Sequence, residues 1–395
     1  MTLPLEGIRV LDFTWMQQGP FSTTLLADMG AEVIKVEHRE GERGRAVDRN
    51  QVPEPVPYFI AHNRGKRSIT LDVRRPEGRQ IVERFVEQVD VVVSNMRIGK
   101  MDDLGFSYDN FSAINPRLIY ACGSAFGPLG DRAQVPGNDI IGQAAGGITT
   151  RTGYSEGVPT PVGAAIADQT GAIFLCTGIL AALVQRERTG QGEQVDVSLY
   201  GSQIALQSWE ITNYSLSGKE AGKGGYGHPL LTHRAVWRTF QTSDGWIAIG
   251  GAVTQKFKAL AEIVNLPMLA EQYPDDVSRA AAMSDIQPQL EKRFLTESNT
   301  FWLEKFAEKD IFSGPVQSYE DIVADPQARE NGYIASMMHP ALGEVAIAGT
   351  PIQFGRSPRT TLPAPPELGD HTERYLTEIG YSWDEIVNLR EIGVI

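Results

Sequence analysis

IRVLDFTWMQQGPFSTTLLADMGAEVIKVE, residues 8–37, is the stretch from which the fold is read. It opens on a short apolar run, Ile8 to Phe13, and breaks at Gly19-Pro20. A helix is expected over Phe21 to Met29, with Pro20 in its first turn. Gly30 stops that helix, and Glu32 to Glu37 forms the next strand. Strand, helix and strand within so short a span make a βαβ unit, whose two strands run parallel.

Outward from this unit the alternation continues. Ser68 to Asp72 reads as a strand, Pro76 to about Val89 as a helix, and Asp90 to Ser94 as a strand again. Arg117 to Cys122 follows as a strand, then a glycine-rich stretch, a long apolar helix over 169–188, and a strand from Glu193 to Leu199. Nearly continuous apolar strands separated by helices imply a parallel sheet covered on both faces. The expected class is α/β, with a large Rossmann-like domain over residues 1–220. Lys219 to Pro229 carries four glycines between 222 and 227, and 221–235 reads as a linker. Residues 236–330 read as a smaller α+β domain, opened by a hairpin in 237–250 that turns at Ser243-Asp244-Gly245. Residues 331–395 then return through the proline-rich 358–366 to a C-terminal helix around 371–379 that completes the large domain.

The chain has 395 residues, enough for two domains. Its 36 basic against 49 acidic residues give −13, which argues against nucleic acid as a partner. The N-terminus lacks the basic and apolar regions of a signal peptide. The uncharged run Gln169 to Gln185 falls short of the roughly 20 residues a spanning helix needs, so no membrane association is expected. Cys122 and Cys176 match no metal or redox spacing and suit a reducing, cytoplasmic compartment. The six histidines show no ligand spacing, so no metal site is expected.

A parallel open sheet places its ligand at the carboxyl ends of its strands. There the loops carry Gln17 and Gln18, His38 and Arg39, Arg74 and Arg75, and Asn95-Met96-Arg97 with Lys100. This collection of cations on an acidic chain suits a ligand with several phosphates. Gly-x-Gly-x-x-Gly, Walker and Gly-x-Ser-x-Gly motifs are all missing, which disfavours dinucleotide, nucleoside-triphosphate and hydrolase sites. Asp168 follows Gly163-Ala-Ala-Ile-Ala167 and opens the apolar helix. It is either an ordinary N-cap or a carboxylate nucleophile that the positive end of the helix keeps ionised without a partner base.

Taken in order, Pro4 to Phe13, Gly30 to Glu37, Asn63 to Asp72, Asn115 to Ile119, Gln143 to Gly147, Thr189 to Gly192 and Leu368 to Thr372 resemble the class III CoA-transferases. This is the CaiB/BaiF family of formyl-CoA transferase and carnitine CoA-transferase, and the resemblance covers essentially the whole chain. It implies transfer of CoA from an acyl-CoA donor to a free carboxylic acid, through aspartyl anhydride and aspartyl-CoA intermediates on Asp168. Neither metal nor tightly bound cofactor is implied; acyl-CoA is the substrate. Gln17 matches a catalytic glutamine beside the aspartate, whose amide would stabilise developing oxyanions, and Asp139 a second acidic position that supports the site. Gln18, Arg39, Leu71 to Arg74, Asn95, Met96 and Arg97 match the CoA-binding positions. His38 and Asp103 stand where relatives carry arginine, with Arg39 adjacent to take over the first of these.

The resemblance also implies an interlocked homodimer, and it likens the 222–227 glycines to a mobile loop that shields the site. Small carboxylic or dicarboxylic acids are expected acceptors, with His38, Arg39 or Arg234 to pair a remote carboxylate, while carnitine-like or aromatic acids stay open. Trp15, Met16 and Trp209 are candidate acyl-pocket residues. One alternative is the racemase branch, which acts on 2-methylacyl-CoA and carries Gly-His-Asp where this chain has Gly137-Asn138-Asp139. A second is an inactive acyl-CoA-binding regulator.

Overall fold

The computed structural model describes residues 2–47, 56–154, 156–225, 227–228, 230–231, 236–251, 254–357 and 362–395. Six strands, β1 (Arg9–Asp12), β2 (Glu32–Glu37), β3 (Arg67–Thr70), β4 (Val91–Ser94), β5 (Ile119–Ser124) and β6 (Glu193–Ser198), form one sheet in the order β3-β2-β1-β4-β5-β6. Every pairing in it is parallel. In β1, Val10 pairs with Val33 of β2 on one side and Val91 of β4 on the other. The strand order reverses between β1 and β4, so the ligand crevice of such a sheet opens beyond the ends of those two strands.

Side chains alternate across the sheet, and both faces are packed. Val10, Val33, Val91, Val93 and Ile119 join Leu175, Cys176, Ile179 and Leu183 of the long helix Ile166–Thr189 in one core. Leu11, Ile34 and Val92 face the other way. They pack with Ile81, Val82 and Phe85 of the helix Pro76–Val86, and with Tyr375, Leu376, Ile386 and Leu389 from two C-terminal helices, Thr372–Glu378 and Trp383–Glu391. The sequence suggests only the first of those two. The Ile166–Thr189 helix is long and apolar enough to cross a membrane by length and composition alone. Here one of its faces is the sheet's cover.

The chain divides into two compact units. The first comprises residues 1–146, 163–206 and 323–395, and the second 147–162 and 207–322. The second thus takes in 147–162 and begins ahead of the glycine-rich segment. It holds an antiparallel sheet of β7 (Arg238–Gln241), β8 (Trp246–Ile249) and β9 (Ser313–Pro315), with helices packed over Phe240, Ile247, Phe294 and Trp302. Within the return segment, β10 (Ile334–His339) and β11 (Gly343–Ala348) form an antiparallel hairpin that the sequence reading leaves as linker. Arg234 and residues 358–361 lie outside the described residues.

Candidate active site

The loop after β1 is the most heavily braced part of the first unit. Asp12 is fully buried, and its carboxylate accepts hydrogen bonds from the Thr14 amide (2.8 Å), the Thr23 hydroxyl (2.7 Å) and Lys66 Nζ (3.0 Å). Burial opposes the charge on Asp12. Lys66 and Lys35 outweigh that cost and hold the carboxyl below its ordinary value. Lys35 Nζ in turn donates to the Thr14 carbonyl at 2.7 Å and pairs with Glu42 at 3.2 Å.

Glu42 and Asn95 fix the rest of the turn. Met16 has φ +65°, a left-handed conformation costly for a residue with a Cβ, and its amide donates to Glu42 Oε2 at 2.9 Å. Asn95, just beyond β4, accepts from the Trp15 amide at 2.9 Å and donates to the Trp15 carbonyl at 2.8 Å. The turn therefore links the two strands that flank the switch point. It delivers Gln17 and Gln18 to the head of the helix Gln18–Asp28.

A cavity of about 420 Å³ opens there, and Gln17, Gln18, Asn95, Met96, Arg97 and Asp168 all line it. The structure thus gathers six of the residues selected from the sequence around one space. Trp15 and Met16 line it as well. Leu71, expected at the CoA site, is instead buried in the core with its amide donating to the Glu37 carbonyl at 2.8 Å, and it does not line this cavity. Arg39 and Arg74 lie outside this cavity; Arg74 is held by Asp72 at 2.8 Å and by His38 Nε2 at 3.0 Å. Asp103 pairs with Lys100 at 2.6 Å. Trp209 stacks on His228 in the second unit, with ring centroids 4.8 Å apart. In the same unit the glycine segment packs on its own neighbours, the Gly225 amide donating to the Gly153 carbonyl at 3.1 Å.

Asp168 is the third residue of the Ile166–Thr189 helix, whose N-cap is Ala165 without a side-chain cap. The expectation that the helix end keeps Asp168 ionised needs correction, because Asp139 takes that end. Asp139 Oδ1 accepts from the amides of Ala167 (2.8 Å) and Asp168 (3.2 Å), and its Oδ2 from Gln143 Nε2 (2.6 Å). The macrodipole is therefore spent on Asp139. Among the described residues no donor reaches the Asp168 carboxylate. Burial, and then the charge of Asp139, push its pKa from 3.8 up to about 7. A poorly solvated carboxylate of this kind is basic and nucleophilic once ionised. Burial pushes the Cys122 and Cys176 thiols up to about 12, which removes them as rival nucleophiles.

Asn138 caps the helix Asp139–Ala145, and its Oδ1 accepts the Ile141 amide at 3.5 Å. An amide in that role takes no proton from a substrate carbon, which disfavours racemisation. Arg43 also lines the cavity, its guanidinium lying 5.2 Å from the Trp15 ring centre. Its only trace in the sequence is a second basic cluster, Gly41-Glu-Arg-Gly-Arg45, one short turn past β2. Both Arg43 and Arg97 line the cavity, and neither enters an ion pair among the described residues.

Residues 5–372 match the model of the family described as CoA-transferase family III. A mouse protein named succinyl-CoA:glutarate CoA-transferase is 34% identical over 99% of this chain and 90% of its own length. A Haloarcula marismortui protein named succinyl-CoA:mesaconate CoA-transferase is 35% identical over 95% of this chain and 96% of its own. The crystal structure of a CAIB/BAIF family protein from Brucella suis superposes with a TM-score of 0.84 at 31% identity, covering 96% of this chain and all of that one.

Proposed function

The chain belongs to CoA-transferase family III, and from that premise we propose that it carries CoA from a dicarboxylic acyl-CoA to a second dicarboxylic acid, with Asp168 as the nucleophile. A carboxylate oxygen of Asp168 bonds to the thioester carbon, the C–S bond breaks, and CoA leaves as thiolate. The thiolate attacks the Asp168 carbonyl of this anhydride, releasing the donor acid and leaving an aspartyl-CoA thioester. The acceptor carboxylate attacks that thioester and expels the thiolate again. Attack of the thiolate on the acceptor acyl carbon then forms the product and restores the Asp168 carboxylate. Each step exchanges one activated acyl bond for another, so the sequence closes without an energy source.

One observation carries the dicarboxylate assignment: two arginines without an ion pair among the described residues share the cavity with the nucleophile. Arg97, beyond β4, suits the phosphates of CoA; Arg43 suits the far carboxylate of the acyl group. The names of the relatives, which pair succinyl-CoA with glutarate or mesaconate, support the same reading. Arg43→Gln is expected to raise KM for a dicarboxylic acceptor about 10- to 100-fold, with the KM of a monocarboxylic acid of equal length unchanged. Equal effects on both acids would contradict the assignment.

We also propose a homodimer. Ile173, Phe174 and Val184 of the Ile166–Thr189 helix are 51%, 41% and 54% exposed, an apolar face that a second copy would cover. Light scattering should return twice the chain mass.

A further inference from the structure

Gln18 is 4% exposed, and among the described residues its buried Nε2 has no hydrogen-bond partner. The reason it fits there lies in two glycines. A Cβ on Gly171 would stand 2.8 Å from that nitrogen, and a Cβ on Gly123 would stand 2.6 Å from Gln18 Oε1. The amide therefore occupies the niche that a side chain at 171 would fill. Helical side chains lean toward the N-terminus, over the preceding turn. The niche at 171 thus lies beside Asp168, its neighbour one turn earlier.

Glycine in a helix interior weakens the helix, and a buried donor left unpaired is costly. Both costs fall at one spot next to the nucleophile. The group that arrives there is a thioester carbonyl, whose oxygen gains negative charge as Asp168 attacks the carbon, and a preplaced donor stabilises that charge. Resting on the reading of Asp168 as nucleophile, we propose that Gln18 Nε2 donates the hydrogen bond to the acyl oxygen at Asp168, with Gly171 and Gly123 as positioning residues that keep the amide in place. Gln18 then acts in the transition state, and no proton leaves it.

Steady-state transfer from succinyl-CoA to glutarate, with thermal melting, tests this for Gln18→Ala and Gly171→Ala beside Asp168→Ala. Gln18→Ala should lower kcat about 100-fold with KM for succinyl-CoA within about twofold. Gly171→Ala should lower kcat similarly with an unchanged or raised melting temperature, because its methyl displaces the flexible amide while strengthening the helix. A raised KM with full kcat in Gln18→Ala would overturn the proposal and make the residue a CoA-binding group. So would full kcat in Gly171→Ala. Retained activity in Asp168→Ala would overturn the nucleophile reading and this proposal with it, whereas loss there with full kcat in Gln18→Ala overturns the proposal alone.

Discussion

Asp168→Asn is expected to lose at least about a thousandfold in transfer rate and yet to be more stable than the wild type at pH 8. The first effect follows because an amide cannot form the anhydride. The second follows from the raised pKa. The folded protein keeps the Asp168 proton up to about pH 7, whereas the unfolded chain releases it near 3.8. Ionising Asp168 in the fold is therefore a cost that is absent below the unfolded value, grows between the two, and is complete above about 7. The span corresponds to as much as about 4 kcal/mol before solvent screening is counted. Asparagine removes that cost, so the variant should match the wild type near pH 4, gain on it up to about pH 7 and hold that gain at pH 8. Denaturant midpoints at the two pH values read this directly. A variant that gains nothing at pH 8 would mean that the carboxylate is better solvated than the cavity allows.

The second large effect concerns pH and Asp139. Only the ionised Asp168 attacks, so kcat/KM for the acyl-CoA should rise tenfold per pH unit on the acid side and level off above about 7. At pH 5 the rate should be about one hundredth of the plateau. Asp139→Asn keeps one oxygen to accept the Ala167 and Asp168 amides, gives up the acceptor of Gln143 Nε2, and removes the charge that adds to burial in raising Asp168. Its acid limb should move to lower pH, and its plateau should fall, because a less basic carboxylate is a weaker nucleophile. Asp139→Ala removes the acceptors as well and should cost a further ~1–2 kcal/mol of stability, as the loss of a helix cap does. A profile that stays in place in Asp139→Asn would disconnect the two carboxylates.

The parallel sheet was legible because its strands are buried on both faces and so read as unbroken apolar runs, Val91 to Val93 most clearly. The parallel direction followed from the βαβ pattern, and the ligand's place beyond the carboxyl ends of the strands followed from that direction, whereas the order β3-β2-β1-β4-β5-β6 came only with the structure. Asp168 stood out because it is the charge immediately ahead of the uncharged run Gln169 to Gln185. What joins it to the rest of the site is tertiary and left little local trace. Asp139 caps the helix from 28 positions away, and nothing near either residue signals the contact. Gln18 finds its niche through glycines on a strand and a helix that the chain reaches much later. Arg43 comes to the cavity on a short turn whose charges look like any solvated loop. The β10–β11 hairpin was hidden for a different reason: many of its residues are exposed, so its alternation lacks the contrast that marks a half-buried strand.

The covalent route through Asp168 is tested most directly by the intact mass of the protein after brief incubation with succinyl-CoA and no acceptor. The wild type should gain the mass of a CoA or succinyl group, localised to the Asp168 peptide and removed by hydroxylamine, and Asp168→Ala should gain nothing. A wild type that transfers CoA to an added acid without ever carrying such an adduct, or an adduct that persists in Asp168→Ala, would contradict it.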